Sequence, residues 1–131
     1  MAAVPLVEDN SLRTTDSGFE VLVRLPWYRS LPLSSIENIR LSLDGQPVEP
    51  ASLRFGVNER QFKLSELGEL IEEYWFVQDS AHLIALQPGK IASGESHNVE
   101  VELTLRFPYI PIGPGKFLTN SNTLTVTQVA R

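Results

Sequence analysis

The run from Asn98 to Phe107 limits the choice of fold more than any other part of the chain. Val99, Val101, Leu103, Leu105 and Phe107 alternate with Asn98, Glu100, Glu102, Thr104 and Arg106. A period of two puts the apolar set on one face of an extended strand and the polar set on the other. A helix would scatter the same residues around its circumference. One buried and one solvated face is the pattern of an antiparallel sheet covered on one side.

The rhythm recurs along the chain. Phe19, Val21, Val23 and Leu25 alternate with Glu20, Leu22 and Arg24, and residues 10–15 read as an earlier strand paired across Asp16-Ser17-Gly18. Residues 36–43 alternate through Ile39, Leu41 and Leu43 and end at Asp44-Gly45. That pair tolerates the positive φ angles of a two-residue hairpin turn, so residues 46–48 are the expected return strand. Leu53, Phe55 and Val57 alternate again, before a turn near Asn58-Glu59 and a strand Gln61-Phe62-Lys63. Residues 75–77 and 82–87 read as two strands joined at Asp79-Ser80, and residues 123–129 as a closing strand.

Residues 65–74 break the pattern. Leu67, Leu70, Ile71 and Tyr74 follow helical spacing, Ser65 is a suitable N-cap, and Glu66, Glu69, Glu72 and Glu73 fill the remaining face. A helix this short needs an apolar stripe docked on a sheet. At 131 residues the chain suits a single domain, residues 1–131, able to bury its own core. The expected architecture is all-β: an antiparallel β-sandwich with one short helix.

Several function classes lose support. A net charge of −5 disfavours nucleic acid and anionic membrane as main partners, which require clustered Lys and Arg. The absence of cysteine removes disulfides, thiolate metal sites and cysteine nucleophiles, and is compatible with a reducing compartment. Residues 1–8 lack the basic and apolar regions of a signal peptide, and no run approaches the length of a membrane span, so a cytoplasmic location is expected.

Catalytic signatures are also wanting. His82 and His97 have no second histidine or carboxylate at ligand spacing, no serine sits in a Gly-x-Ser-x-Gly elbow, and the acidic residues cluster on the predicted helix. Gly113-Pro114-Gly115-Lys116 lacks the earlier glycine of a phosphate loop, and Phe117 stands where a metal-binding hydroxyl is needed.

Two proline-rich aromatic stretches remain, Arg24 to Leu33 and Pro108 to Gly115. The first presents Pro26, Trp27, Tyr28, Arg29 and Leu31; the second adds Tyr109. Trp, Tyr and Arg are the enriched residues of protein–protein hot spots, and flanking prolines lower the entropy cost of ordering a loop. Composition leaves three roles open: core plugs at the end of a sandwich, a binding interface or active-site lid, and a platform on which a sugar or flavonoid stacks.

The segment Val23-Arg24-Leu25-Pro26-Trp27-Tyr28-Arg29-Ser30 resembles one found in β subunits of the C-glycoside deglycosidases. The likeness continues through Ser35 to Ile39, Asp44-Gly45-Gln46-Pro47-Val48, Leu53 to Val57, Phe62 to Leu67, Glu73 to Phe76, and Arg106 with Tyr109. It covers roughly residues 10–112, with Trp27 where tyrosine is usual and Trp75 directly before Phe76 where an acidic residue often intervenes.

The resemblance implies a small β-sandwich bound to a larger α subunit, a TIM barrel like sugar-phosphate isomerases that holds a divalent metal, typically manganese. The complex would be a lyase, in higher hetero-oligomers of αβ units, that cleaves the sugar–ring carbon–carbon bond of 3-oxo C-glycosides such as flavonoid C-glucosides. A ketone at sugar C3 acidifies the C2 proton; a base removes it, the metal offsets the enediolate charge, and the aglycone leaves C1. Base and metal ligands would lie on α. This chain would bind no cofactor and carry no catalytic residue. It would support assembly and activity through Pro26, Trp27, Tyr28, Arg29, Leu31 and Tyr109. The alternative from another class is a stand-alone carbohydrate-binding sandwich using Trp27, Tyr28 and Tyr109.

Overall fold

The alternating segments form two antiparallel sheets packed face to face. In the computed structural model, which describes residues 5–131 apart from the side chain of Pro108, eleven strands account for most of the chain. Met1–Val4, where the leader reading begins, lie outside the described residues. The first sheet has the order β1 (Arg13–Thr15), β2 (Gly18–Arg24), β9 (Ser80–Ala85), β6 (Leu53–Val57), β7 (Arg60–Lys63). The second runs β11 (Lys116–Val129), β10 (Ser96–Gly113), β4 (Ile36–Leu43), β5 (Gln46–Pro47). A small third sheet pairs β3 (Leu31–Pro32) with β8 (Tyr74–Trp75).

Register aligns the apolar parities into one core. Phe19 lies opposite Ala85 and Val21 opposite Leu83, while Leu53 and Phe55 take the other side of the same residues. In the second sheet Val99, Val101 and Leu103 face Leu43, Leu41 and Ile39. Val99, Val101, Leu103, Leu105 and Phe107 are all fully buried, as the period-two pattern requires. Asp44 has φ 51° and Gly45 φ 80°, so the two-residue turn forms where expected. The all-β sandwich with a short helix is thus the observed fold. None of the described helices is long and apolar enough to cross a membrane.

Three expectations need correction. The helix is a 3-10 helix over Leu64–Glu69 rather than a longer one over 65–74, and the Glu66 carboxylate closes its first turn by accepting the Lys63 N–H at 2.7 Å. Only Leu67 of it is fully buried; Ile71 is exposed, and Tyr74 belongs to β8. Gly68 weakens helix at this point, and Trp75 must be extended to pair with Leu31 and enter the core. The second correction follows: of the strand expected at 75–77 only Trp75 is paired, together with Tyr74, and it pairs with β3 rather than with the following strand, because β2 and β6 occupy both sides of β9. Third, 108–115 is no loop. β10 and β11 continue as a hairpin to a turn at Pro114-Gly115, with register shifts between Arg106 and Gly113 that accommodate the prolines.

Candidate functional site

The long hairpin outruns its sheet. β4 stops pairing with β10 at Ile36, opposite Leu105, so beyond that point β10 and β11 form a two-stranded arm. A bare two-stranded ribbon is marginal in water, and this arm needs a buttress. The loop from Leu25 to Ser30 supplies it.

Pro26 ends the pairing of β2 with β9, which turns the chain across the open end of the sandwich. Trp27 then lies on Phe107, with ring centroids 4.0 Å apart and planes at 22°. Its indole N–H donates to the Tyr109 hydroxyl. The Arg29 guanidinium sits over the other aromatic plane, 4.4 Å from the Tyr109 ring centroid. Tyr28 tilts against Trp27 at 4.9 Å and is otherwise bare, 72% exposed. The loop's return is also fixed: the Ser30 hydroxyl accepts the Val77 N–H at 2.9 Å, and Leu31 pairs with Trp75.

The two stretches singled out in the sequence therefore meet. Trp27, Arg29 and Tyr109 form one cluster, with Pro26 and Tyr28 at its edge. Leu31 differs. It is 2% exposed and part of the core, so its place as an interface residue is withdrawn: a side chain sealed under β8 cannot meet a partner directly.

Other residues of this end escaped the sequence reading. Tyr74 and Phe76 are exposed, with rings 6.3 Å apart and 28° from parallel. They flank buried Trp75, so alternation in the strand expected at 75–77 already turns Phe76 outward, whereas the helical reading of 65–74 hides Tyr74. Ile112 and Leu118 project from the arm. Of eight large apolar side chains exposed among the described residues, Tyr28, Tyr74, Phe76, Tyr109, Ile112 and Leu118 belong to this end. Most of the large apolar exposure among the described residues is therefore concentrated at this end.

Stacking on a free sugar is poorly served by the arrangement. Phe107 covers one face of Trp27, Tyr109 takes its N–H, and Arg29 caps the Tyr109 ring. Of the three rings proposed as a platform, Tyr28 alone is mostly open.

Both histidines have gained carboxylate partners from distant strands. His82 Nδ1 is 3.0 Å from Glu20 on the outer face of the first sheet, where Arg13 also pairs with Glu20. An open cleft of about 560 Å³ lies beside them. At the opposite end from Trp27, His97 Nδ1 is 2.6 Å from Asp44, and its Nε2 is 3.3 Å from Glu95. Hydrogen bonding to Asp44 raises the His97 pKa above its ordinary value, reinforced by Glu95 and opposed by partial burial. The Asp44 carboxyl is lowered by His97 and by the Asn98 N–H; that of Glu95 is lowered by the Ala92 N–H and by His97. Among the described residues no three His, Asp or Glu side chains are placed to hold a metal ion, and neither imidazole bonds a serine.

Residues 5–109 match the family model described as C-glycoside deglycosidase beta subunit. The chain belongs to that family. A C-glycoside deglycosidase beta subunit from Microbacterium trichothecenolyticum is 40% identical over 127 residues, covering 95% of each chain. A 3'-dehydrocarminate deglycosidase beta subunit from a Microbacterium species is 37% identical over 118 residues, covering 90% of this chain and 87% of its relative. A C-glycoside deglycosidase beta subunit from Arthrobacter globiformis is 40% identical over 110 residues, covering 84% and 83%. The match of this C-glycoside deglycosidase beta subunit family member to the family model takes in the Trp27 loop, Tyr74 to Phe76 and Tyr109, but not the tip of the arm.

Proposed function

We propose that this chain is the non-catalytic β subunit of a cytoplasmic C-glycoside deglycosidase. Its aromatic end docks on a companion α subunit and covers or shapes the mouth of that subunit's active site. The observation that carries this reading is the gathering of exposed apolar side chains around one stiffened loop and one projecting arm. Ordering such a surface costs little on binding, since Trp27, Arg29 and Tyr109 already hold one another in place. Relatives bearing the name beta subunit, at 40% identity across nearly the whole chain, support a companion subunit.

Within that reading, the reaction is carbon–carbon cleavage of a 3-oxo C-glycoside such as a flavonoid C-glucoside, the class of substrate the family resemblance suggests. The base and a divalent metal, manganese on the same grounds, belong to a TIM-barrel α subunit. The metal supplies charge stabilisation at the sugar oxygens. This chain excludes water from the site and orders the α loops it touches, and Arg29 provides a polar contact to α or to substrate.

Co-purification with the companion subunit tests the proposal. A Trp27→Ala, Arg29→Ala chain is expected to keep its β-sheet circular dichroism spectrum. It should assemble at least tenfold more weakly and lose turnover of a 3-oxo flavonoid C-glucoside. Unchanged assembly with unchanged turnover overturns it.

A further inference from the structure

Four strand edges terminate the two main sheets, and three of them are guarded. β1 is three residues long and carries Arg13; β7 is four long with Arg60 and Lys63; β5 is two residues and contains Pro47. Short length, charge and proline are the devices that stop an edge from pairing with another chain. The fourth edge has none of them beyond its first residue, Lys116. β11 runs for 14 residues, and from Phe117 to Ala130 there is neither a charged residue nor a proline.

Its inner face is also incompletely covered. Val126 and Leu124 lie beside Val99 and Val101, which are fully buried, yet both are only partly buried themselves. An antiparallel strand directs half of its backbone N–H and C=O groups to each side, and no described strand takes those on the outer side of β11.

We infer that the free edge of β11 pairs antiparallel with β11 of a second copy of this chain, joining two four-stranded sheets into one continuous sheet. A two-fold contact requires a self-complementary segment. With the dyad at Thr123, Thr119 faces Thr127 of the other copy, and Ser121 faces Thr125. The exposed row is therefore hydroxyl against hydroxyl, a favourable cross-strand pairing, while the inner row sets Asn120 against Val126 and Asn122 against Leu124. A chain of net charge −5 approaches its own copy most easily along such an uncharged edge. The aromatic end stays free for the companion subunit, so the two contacts are compatible, and this one does not depend on the proposed function.

The test is sedimentation of the full chain, alone and in complex with its companion, through the micromolar range. The wild-type chain is expected to dimerise. A Ser121→Lys/Thr125→Lys variant sets lysine against lysine twice across the dyad, and its dimer dissociation constant should rise at least tenfold. The second lysine faces the chain's own Glu100, which protects the single chain's fold. Mixing this variant with Ser121→Glu/Thr125→Glu should restore a dimer, which misfolded chains would not do. Three results overturn the inference: a chain that stays monomeric both alone and in the complex, a dimer indifferent to the lysines, or β11 amides protected from exchange only by the companion subunit.

Discussion

The two ends of the sandwich handle the same problem differently. At one end the strands close through tight turns, and polar groups find partners within the chain. The Asp44-Gly45 turn is clasped by His97, whose other nitrogen meets Glu95, and the Arg131 carbonyl accepts the Thr14 N–H. At the other end the loop after β2, the β8 segment and the arm leave aromatic rings in water. Both ends are well determined, the first by hydrogen bonds and the second by ring stacking. Order at an end of a β-sandwich therefore does not by itself distinguish closure from readiness to bind. The chemistry left exposed does.

The largest effect expected is at the aromatic end. Phe107→Ala removes a fully buried ring that carries Trp27, and should cost about 3–5 kcal/mol in urea denaturation. A loss of under 1 kcal/mol, on the same scale, would show that the arm needs no buttress. Close behind, at the polar end, is Gly18→Ala. A Cβ there would meet the Ala85 carbonyl oxygen at 1.9 Å and the Gln87 nitrogen at 2.5 Å, both backbone atoms. About 3 kcal/mol or more should be lost, whereas Gly45→Ala, with open space around it, should cost about 1 kcal/mol for its positive φ.

Tyr28→Ala separates stability from binding. The free chain should change by less than about 0.5 kcal/mol, because this ring is mostly in water. Affinity for the companion subunit should fall by about 2 kcal/mol, the scale of a hot spot, measured by titration of one purified subunit into the other. Equal losses in both assays would make Tyr28 a structural residue.

The smallest effect concerns the clasp. His97 is raised, so its contribution is fully present below pH 6.5, its ordinary value, and is lost as pH rises through the raised value. Asp44 and Glu95 are lowered, so their contributions hold above the ordinary carboxylate values of 3.8 and 4.5 and vanish as pH falls through the depressed ones. The clasp is strongest between those limits. Thermal melts from about pH 8 to about pH 6 should show the wild type gaining on His97→Gln, and parallel curves would remove the clasp.

Much of the fold was legible because side-chain parity in a strand is local information. The pattern from Val99 to Phe107, the Asp44-Gly45 turn and the strands around Val21 and Phe55 needed no distant contact to be read. Residues 65–74 misled for the complementary reason. Leu67, Leu70, Ile71 and Tyr74 satisfy helical spacing, and only the pairing of Trp75 with Leu31, from another part of the chain, draws the segment out of helix. The proline-rich stretch after Phe107 looked like a loop because proline usually ends a strand. Here a two-stranded arm absorbs it through register shifts.

The sequence by itself determined most of the core strands, the all-β class and the presence of two aromatic stretches, since each follows from residues adjacent along the chain. Tertiary structure alone decided that Trp27 lies on Phe107 and bonds Tyr109, that Leu31 is core, and that Tyr74 and Phe76 share their end. It also decided that both histidines meet carboxylates and that β11 is left as an unguarded edge. Those facts depend on which strands become neighbours, and neighbours in a sheet are chosen by packing across the whole core.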